Sequence, residues 1–546
     1  MTTRDFKIGD GTRQAGALVL GVLLALAFPL TNVAGFAWIA PGGLLFLAVR
    51  GDGREAFQSG SLFGLAFALT QLYWLNYMPV DFLPTLAWMA LGGYLAAWYG
   101  AWAWFAWWTL PAPDFIRTPW WRRAGWVIGV SAAWVVMEYV VGWLLTGFPW
   151  LRIGYTQGGL LPLLQIAAWI GVPGLSFLMV WFSISLVCGL LALAGEPNSR
   201  WLAWREIGLP LVAVAVLFAA GSGRINDYNR RVGELGDREV SVALVQPSFP
   251  QTLIWDSSSE TNRLRRTLEL SRVALASKPN ILVWPEAGMP GLLRFQDDVH
   301  RQVTELARKH GVWLICGGDD ARLPEGAADV TRPDFFNGAF LINPEGRIVS
   351  AYHKRRLVIF GEYVPLARWL PFLKFLTPIG EGFSAGREAG RFEMPSLGLS
   401  ASPLICFEDI FPWLSRSAAG PDTDLLVNLT NDGWFGESAQ QWQHLANARC
   451  RAIETGRPLI RCANNGISCW VDPVGRIHGV DFEDGRPAYS EGVKLLRVRV
   501  PPEPISTPYG RRGEWFAWFC GGLAVLTGWS ARSRSTPSLA PVVGRD

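Results

Sequence analysis

Long apolar runs fill the first 222 residues, and short alternating segments follow. Runs at 15–31, 34–49, 57–78, 85–110, 124–146, 172–194 and 206–222 predict about seven helices, with one more at 514–531. Each approaches the ~20 residues a helix needs to cross a hydrocarbon core, although the second is short. The stretch 160–171 is apolar but broken by glycine and by Pro173, which predicts an interfacial or re-entrant piece. Tyr73, Trp74, Tyr77, Trp107, Trp108, Trp120 and Trp121 crowd the ends of the runs, where headgroup-level aromatics belong. More apolar runs follow the first at once and no A-x-A site appears, so the first reads as an anchor rather than a cleaved signal.

Charge orders the loops. Arg4, Lys7 and Arg13 precede the first run, and Arg50, Arg54, Arg117, Arg122, Arg123, Arg200, Arg205, Arg532 and Arg534 fall in alternate loops. The intervening loops hold none at 79–84 and only Arg152 within 147–171. The positive-inside pattern therefore predicts cytoplasmic termini and an outer segment 223–513. At Gly221-Ser222-Gly223-Arg224 the pattern turns α/β. Strands are predicted at Val240–Val245, Ile281–Trp284, Val312–Cys316, Ala339–Ile342, Leu399–Cys406, Leu425–Leu429 and Leu459–Cys462, with helices near 258–277, 295–310 and 439–455. The expected domains are a membrane domain 1–222, an α/β domain 223–513, a last span 514–531 and a cytoplasmic tail 532–546.

Composition agrees with two or more domains. The 546 residues are 50% hydrophobic and 17% charged, with 29 tryptophans, a balance for a polytopic membrane protein carrying a globular part. The net charge is +4 with no basic block, which speaks against nucleic acid as a partner. Seven cysteines lack CxxC spacing, which argues against a zinc site. Whether Cys450, Cys462 and Cys469 pair is open at this point.

Three chemical groups end apolar strands: Glu286 after Ile281-Leu282-Val283-Trp284-Pro285, Lys354 after Ile348–His353, and Cys406 after Leu404-Ile405. A thiolate nucleophile needs a base or a cation beside it, and a carboxylate and an amine supply both. Each alone has a plainer alternative: a buried strand cysteine, a helix-capping carboxylate, a solvated Lys354-Arg355-Arg356 face. Glu362 is a candidate partner for the amine or a loop carboxylate bound to backbone amides. Strand alternation puts Glu408 on the side of Cys406 if that strand continues. His444 reads as a satisfied structural histidine, and Glu138, inside the fifth run, as a structural partner for Arg152.

Together these residues resemble the Glu–Lys–Cys motifs of the carbon–nitrogen hydrolase (nitrilase) superfamily: Trp284-Pro285-Glu286, Lys354 followed by Phe360-Gly361-Glu362-Tyr363-Val364-Pro365, and Ile405-Cys406-Phe407-Glu408. Asn431-Asp432-Gly433-Trp434-Phe435-Gly436, Gln443-His444-Leu445 and Gly456-Arg457-Pro458 match further. With the apolar runs and Gly147-Phe148-Pro149-Trp150, the whole is similar to the membrane-bound N-acyltransferase branch that completes bacterial lipoprotein maturation. The resemblance implies an αββα sandwich outside the inner membrane. It implies Glu286 as general base, Lys354 as oxyanion stabiliser and Cys406 as nucleophile, supported by Glu362 and Glu408, with Trp255 and Trp434 near substrate and no cofactor. The implied partners are a phospholipid acyl donor, a diacylglyceryl-modified apolipoprotein acceptor and the bilayer. The apolar arm Leu366–Leu376, within 366–380, is expected to act as a mobile lid on the headgroups. A membrane-tethered amidase and a transporter with an outer binding domain are the competing readings.

Overall fold

The computed structural model describes residues 9–111, 118–195, 200–235, 238–323, 333–365, 369, 382–482 and 484–535. The first part is helical: α1 (Asp10–Leu26), α2 (Ala40–Ala48), α3 (Gly53–Gln71), α4 (Leu83–Trp108), α5 (Trp120–Val141), α6 (Leu161–Leu164), α7 (Ile166–Ile170), α8 (Val172–Gly195) and α9 (Arg200–Leu235). Local chemistry sets several ends. Asp52 accepts the Glu55 N–H (2.8 Å) while Glu55 accepts the Asp52 N–H (2.7 Å), a reciprocal cap that starts α3. Pro84 sits in the first turn of α4, where its missing N–H costs nothing.

Among the described residues, three helices are long and apolar enough to cross a membrane: Trp120–Val141, Val172–Ala194 and Ala203–Glu234. The expected run at 34–49 divides at Ile39 into a 3₁₀ turn, Ala34–Trp38, and the nine-residue α2, which has Pro41 in its first turn, where a proline starts a helix rather than continuing one. The run at 15–31 shifts toward the N-terminus, starting at Asp10, whose carboxylate pairs with Arg13 (2.6 Å). Stretch 160–171 forms α6 and α7, and Gln165 Nε2 at their junction donates to Val474 O (2.9 Å). Arg123, one of the alternating loop cations, is buried on Glu206 (2.6 Å). The change of composition at 221–224 falls inside α9, which runs on without interruption.

Beyond α9 the chain is α/β: β1 (Arg238–Gln246), α10 (Gln251–Trp255), α11 (Glu260–Leu275), β2 (Ile281–Val283), α12 (Asp297–His310), β3 (Trp313–Arg322), β4 (Asp334–Ile342), β5 (Ile348–His353), β6 (Phe392–Met394), β7 (Leu399–Ile405), α13 (Pro412–Ala418), β8 (Leu425–Thr430), α14 (Gln440–Thr455), β9 (Leu459–Ala463), β10 (Cys469–Val471), β11 (Ile477–His478), β12 (Gly492–Val500) and α15 (Pro508–Arg512). A final helix, α16 (Trp515–Ser535), packs on α5. The strands make two six-stranded sheets, ordered β12-β1-β2-β3-β4-β5 and β11-β10-β9-β8-β7-β6.

Strand alternation builds the layers. Val240, Val242 and Leu244 of β1 face the second sheet's Leu425, Val427 and Ile460, closing a core between the sheets. Ala243 and Val245 point the other way onto α11 and α12. On the far side Leu404 and Leu426 meet Leu445, Ala448 and Ala452 of α14. The result is the expected αββα sandwich. β1, β2 and β3 run parallel, as do β7, β8 and β9, so Glu286 and Cys406 both follow the carboxyl ends of parallel strands.

Candidate active site

Each key side chain sits where a strand stops and the backbone is forced. Cys406 has φ 53°, Ala287 next to Glu286 has φ 54°, and Phe360 between Lys354 and Glu362 has φ 58°. Left-handed backbone is unfavourable for residues with a Cβ and persists only where surroundings hold it. At Cys406 the holders are visible. The Asn428 amide donates to the Cys406 carbonyl (2.8 Å), and Glu408 turns back to accept the Ile405 N–H (2.8 Å).

That turn corrects one expectation. β7 ends at Ile405, and Cys406–Ile410 is a 3₁₀ helix, so Glu408 does not share a strand face with Cys406. Instead its carboxylate is wholly buried and accepts from Tyr352 Oη (2.8 Å), Arg355 N (2.7 Å) and Arg356 N (3.1 Å) as well. Glu408 thereby locks the loop after Lys354 to the turn that presents the thiol.

Lys354, Glu286 and Glu362 meet in one buried cluster. The Lys354 ammonium lies 2.8 Å from Glu362 Oε1 and 3.3 Å from Glu286 Oε1. Burial works against that ammonium, but the Glu286 and Glu362 charges outweigh it and hold its pKa well above the ordinary lysine value. Asn337 of β4 bridges the two carboxylates, its Nδ2 donating at 2.7 Å to each Oε1. Among the described residues, Glu286 Oε2 is buried with no partner. Burial pushes the Cys406 thiol up, Glu286 adds to the rise, and Lys354 opposes it. A carboxylate with a free oxygen, a fixed cation and a thiol under the charge of both form the elements of base-assisted nucleophilic attack.

Below the thiol lies a second buried network that sequence reading did not join up. His444 bridges Asp409 and Asp432 at 2.8 Å on each ring nitrogen, and Arg461 reaches the other oxygen of each, at 3.0 and 2.8 Å. Arg461 also donates to Asn428 (3.3 Å), the residue that holds the Cys406 carbonyl. His444 is thus a satisfied structural histidine, as its sequence setting suggested. Asn337 was missed as well; the only signal was an amide within the apolar run of β4, which needs buried partners.

Trp434 is half-buried on the 3₁₀ turn Asp432–Phe435. Trp255 ends α10, and its side chain lies outside those described. Of the arm 366–380 only Trp369 is described, 78% exposed; the rest of the lid lies outside the described residues. Glu138 Oε1 accepts from Trp134 Nε1 (2.9 Å) and Ile153 N (3.0 Å), whereas Arg152 pairs with Glu514 (3.6 Å) rather than with Glu138. All seven cysteines are free, Cys450, Cys462 and Cys469 included.

Residues 241–483 match the carbon-nitrogen hydrolase family, and residues 20–185 match the apolipoprotein N-acyltransferase N-terminal domain. The chain is 34% identical over 522 residues to the apolipoprotein N-acyltransferase of Geobacter metallireducens, covering 95% of each chain. It is 35% identical over 425 residues to that of Bradyrhizobium diazoefficiens, covering 75% of this chain and 74% of that one. With that of Vibrio cholerae it shares 29% over 534 residues, 94% of this chain and 96% of the other. Among solved structures it is similar to an amidase from Nesterenkonia sp. (18% identity, 52% of this chain, 97% of that one, TM-score 0.33). Another is a branch 10 member of the nitrilase superfamily from Saccharomyces cerevisiae (18%, 50% and 95%, TM-score 0.36).

Proposed function

Because this chain belongs to the apolipoprotein N-acyltransferase family, we propose that it moves an acyl chain from a membrane phospholipid to the α-amino group of the diacylglyceryl-cysteine of an apolipoprotein. Glu286 takes the thiol proton on its free Oε2, and Cys406 attacks the ester carbonyl. Lys354 has three N–H donors, two of them met by carboxylates, so one remains for the oxyanion alongside the Phe407 backbone N–H. Collapse of the adduct expels the glycerol oxygen, which takes the proton back from Glu286 as lysophospholipid leaves. The thioester on Cys406 is then attacked by the lipoprotein amine; Glu286 accepts the ammonium-derived proton, the C–S bond breaks, and the thiol is restored as the amide forms. Two half-reactions through one thioester give ping-pong kinetics. Glu362 and Asn337 hold the amine and the base, Glu408 holds the turn, and Trp255 and Trp434 contact substrate.

The helical part lies in the bacterial inner membrane, with the α/β part on the periplasmic side. Supporting this are the loop charges and the exposed apolar side chains on helices, among them Val212 and Val216 of α9 and Val525, Leu526 and Trp529 of α16, which water would not tolerate as a belt. The observation that carries the function is the buried Lys354–Glu286–Glu362–Asn337 cluster acting on a thiol at the end of β7, in a chain most of whose N-terminal helices are apolar. An amidase would use water as acceptor and has no need of that helical part. Intact mass spectrometry after exposure to phospholipid alone tests the reading. A hydroxylamine-labile gain of one fatty acyl unit, absent from Cys406→Ser, is the expected result; no adduct, or one that persists in Cys406→Ser, overturns it.

A further inference from the structure

Arg356 is a half-buried cation beside this site. Its backbone N–H donates to Glu408 Oε1 (3.1 Å), which ties it to the turn that carries Cys406. Its guanidinium lies 5.3 Å from the Phe411 ring, just as the Lys354 ammonium lies 5.4 Å from the Phe407 ring, and the two rings are 5.4 Å apart. Its neighbour Arg355 is satisfied by Ser417 Oγ (2.9 Å) and Leu414 O (3.4 Å). Among the described residues, Arg356 pairs with no carboxylate. Half-burial strips water from the guanidinium and lowers its pKa, with only the Tyr363 hydroxyl acting in the other direction. A partly desolvated cation beside an active centre is an anion site in waiting.

Its surroundings say which anion. Phe411 is fully buried and lies 6.3 Å from Trp413, which stacks at 5.4 Å on Trp143, just past the end of α5. Arg356 therefore stands on the side of the thiol that leads to the apolar helices. A phospholipid whose ester carbonyl is at Cys406 brings a phosphodiester on the same glycerol, a few bonds away. Arginine presents planar paired donors to such a group. We infer that Arg356 binds the phosphodiester of the phospholipid acyl donor. The inference rests on the acyl-transfer reading above and assigns that site its donor class.

The test compares two donors with identical chains in mixed micelles, a phosphatidyl lipid and the corresponding diacylglycerol, following the acyl adduct on Cys406 in the full-length protein. The wild type is expected to prefer the phosphatidyl lipid. That preference should fall about tenfold or more in Arg356→Gln, the scale of a charge-assisted hydrogen bond, and by less in Arg356→Lys, which keeps the charge but not the paired donors. An unchanged preference in Arg356→Gln, or equal loss on both donors, overturns the inference. So does competition by millimolar inorganic phosphate with the donor preference intact, which would mark a free-phosphate site. A wild type that takes no acyl group from either donor would instead count against the acyl-transfer reading itself.

Discussion

At the scale of the residue, His444 shows how the buried charges are balanced. Burial and Arg461 push its pKa down, yet Asp409 and Asp432 outweigh them and the net shift is upward. Asp432 moves the opposite way: burial raises it, but Arg461 and His444 hold it well below the usual carboxylate range. A histidine whose folded pKa is raised stabilises the fold fully below the unfolded value of about 6.5, and that contribution fades as pH rises through the folded pKa. The gap in melting temperature between wild type and His444→Gln should therefore narrow as pH rises from about 6.5 through the raised folded-state pKa. A gap that stays constant across that range would mean a neutral ring. None of this network was legible beforehand. Asp409, Asp432, His444 and Arg461 come from four separate elements, and only folding makes neighbours of them. The strand-end positions of Glu286, Lys354 and Cys406 were legible because apolar strands announce themselves locally and each delivers one polar group at its end. Asn337 and the turn at Cys406 were not, since neither the partners of an amide nor a left-handed φ is written in local pattern.

At the scale of the element, α14 joins the two parts. Gln443, Asn447, Arg451 and Glu454 repeat at helical spacing as a polar stripe, yet all are buried. Gln443 Oε1 accepts from Trp150 Nε1 (2.7 Å) and Trp74 Nε1 (3.1 Å), and its Nε2 donates to Gln71 (2.7 Å). Glu454 accepts the Val172 N–H (3.2 Å) and so caps the start of α8 with a carboxylate, where the helix dipole favours one. Gln443→Ala strands two indole donors and the Gln71 amide, each costing about 1–3 kcal/mol, so the full chain in detergent should lose at least about 3 kcal/mol. Gln443→Glu keeps the acceptor oxygen and should lose less; equal melting of wild type and Gln443→Ala would show that the stripe does not hold the parts together. The sequence placed this helix correctly within a residue or two but gave no hint that its polar face is an interface. It missed β12 altogether, because Lys494, Arg497 and Arg499 alternate with Val493, Leu496, Val498 and Val500 and dilute the apolar signal. That strand pairs along the whole of β1.

At the scale of the whole molecule, the orientation proposed for the helical part makes a direct demand. Single cysteines placed at Gly9 and at Ser506, in a Cys406→Ser background with the six buried native thiols retained, should react differently with a membrane-impermeant maleimide on intact right-side-out vesicles. Position 506 should label and position 9 should not until the vesicles are opened. Labelling of both, or the reverse pattern, would sink the orientation. The α/β character was foreseeable from strand and helix alternation and the αββα layering from the family resemblance alone, whereas the extent of the helices was not foreseeable. Hydropathy sees the apolar middle of α9 but not the charged turns beyond Arg224 that continue it.

That continuity removes a degree of freedom. α9 runs unbroken from the apolar helices to Leu235, just short of β1, its far end fastened by Arg224 to Pro473 O (3.3 Å) and by Asn229 to Arg476 (2.8 Å), while α14 is stitched to Trp74, Trp150 and Val172. The catalytic body is bolted to its chassis and cannot nod on a flexible neck. On the reading proposed above, gating of traffic between fat and water is left to loops rather than to a swing of the whole body.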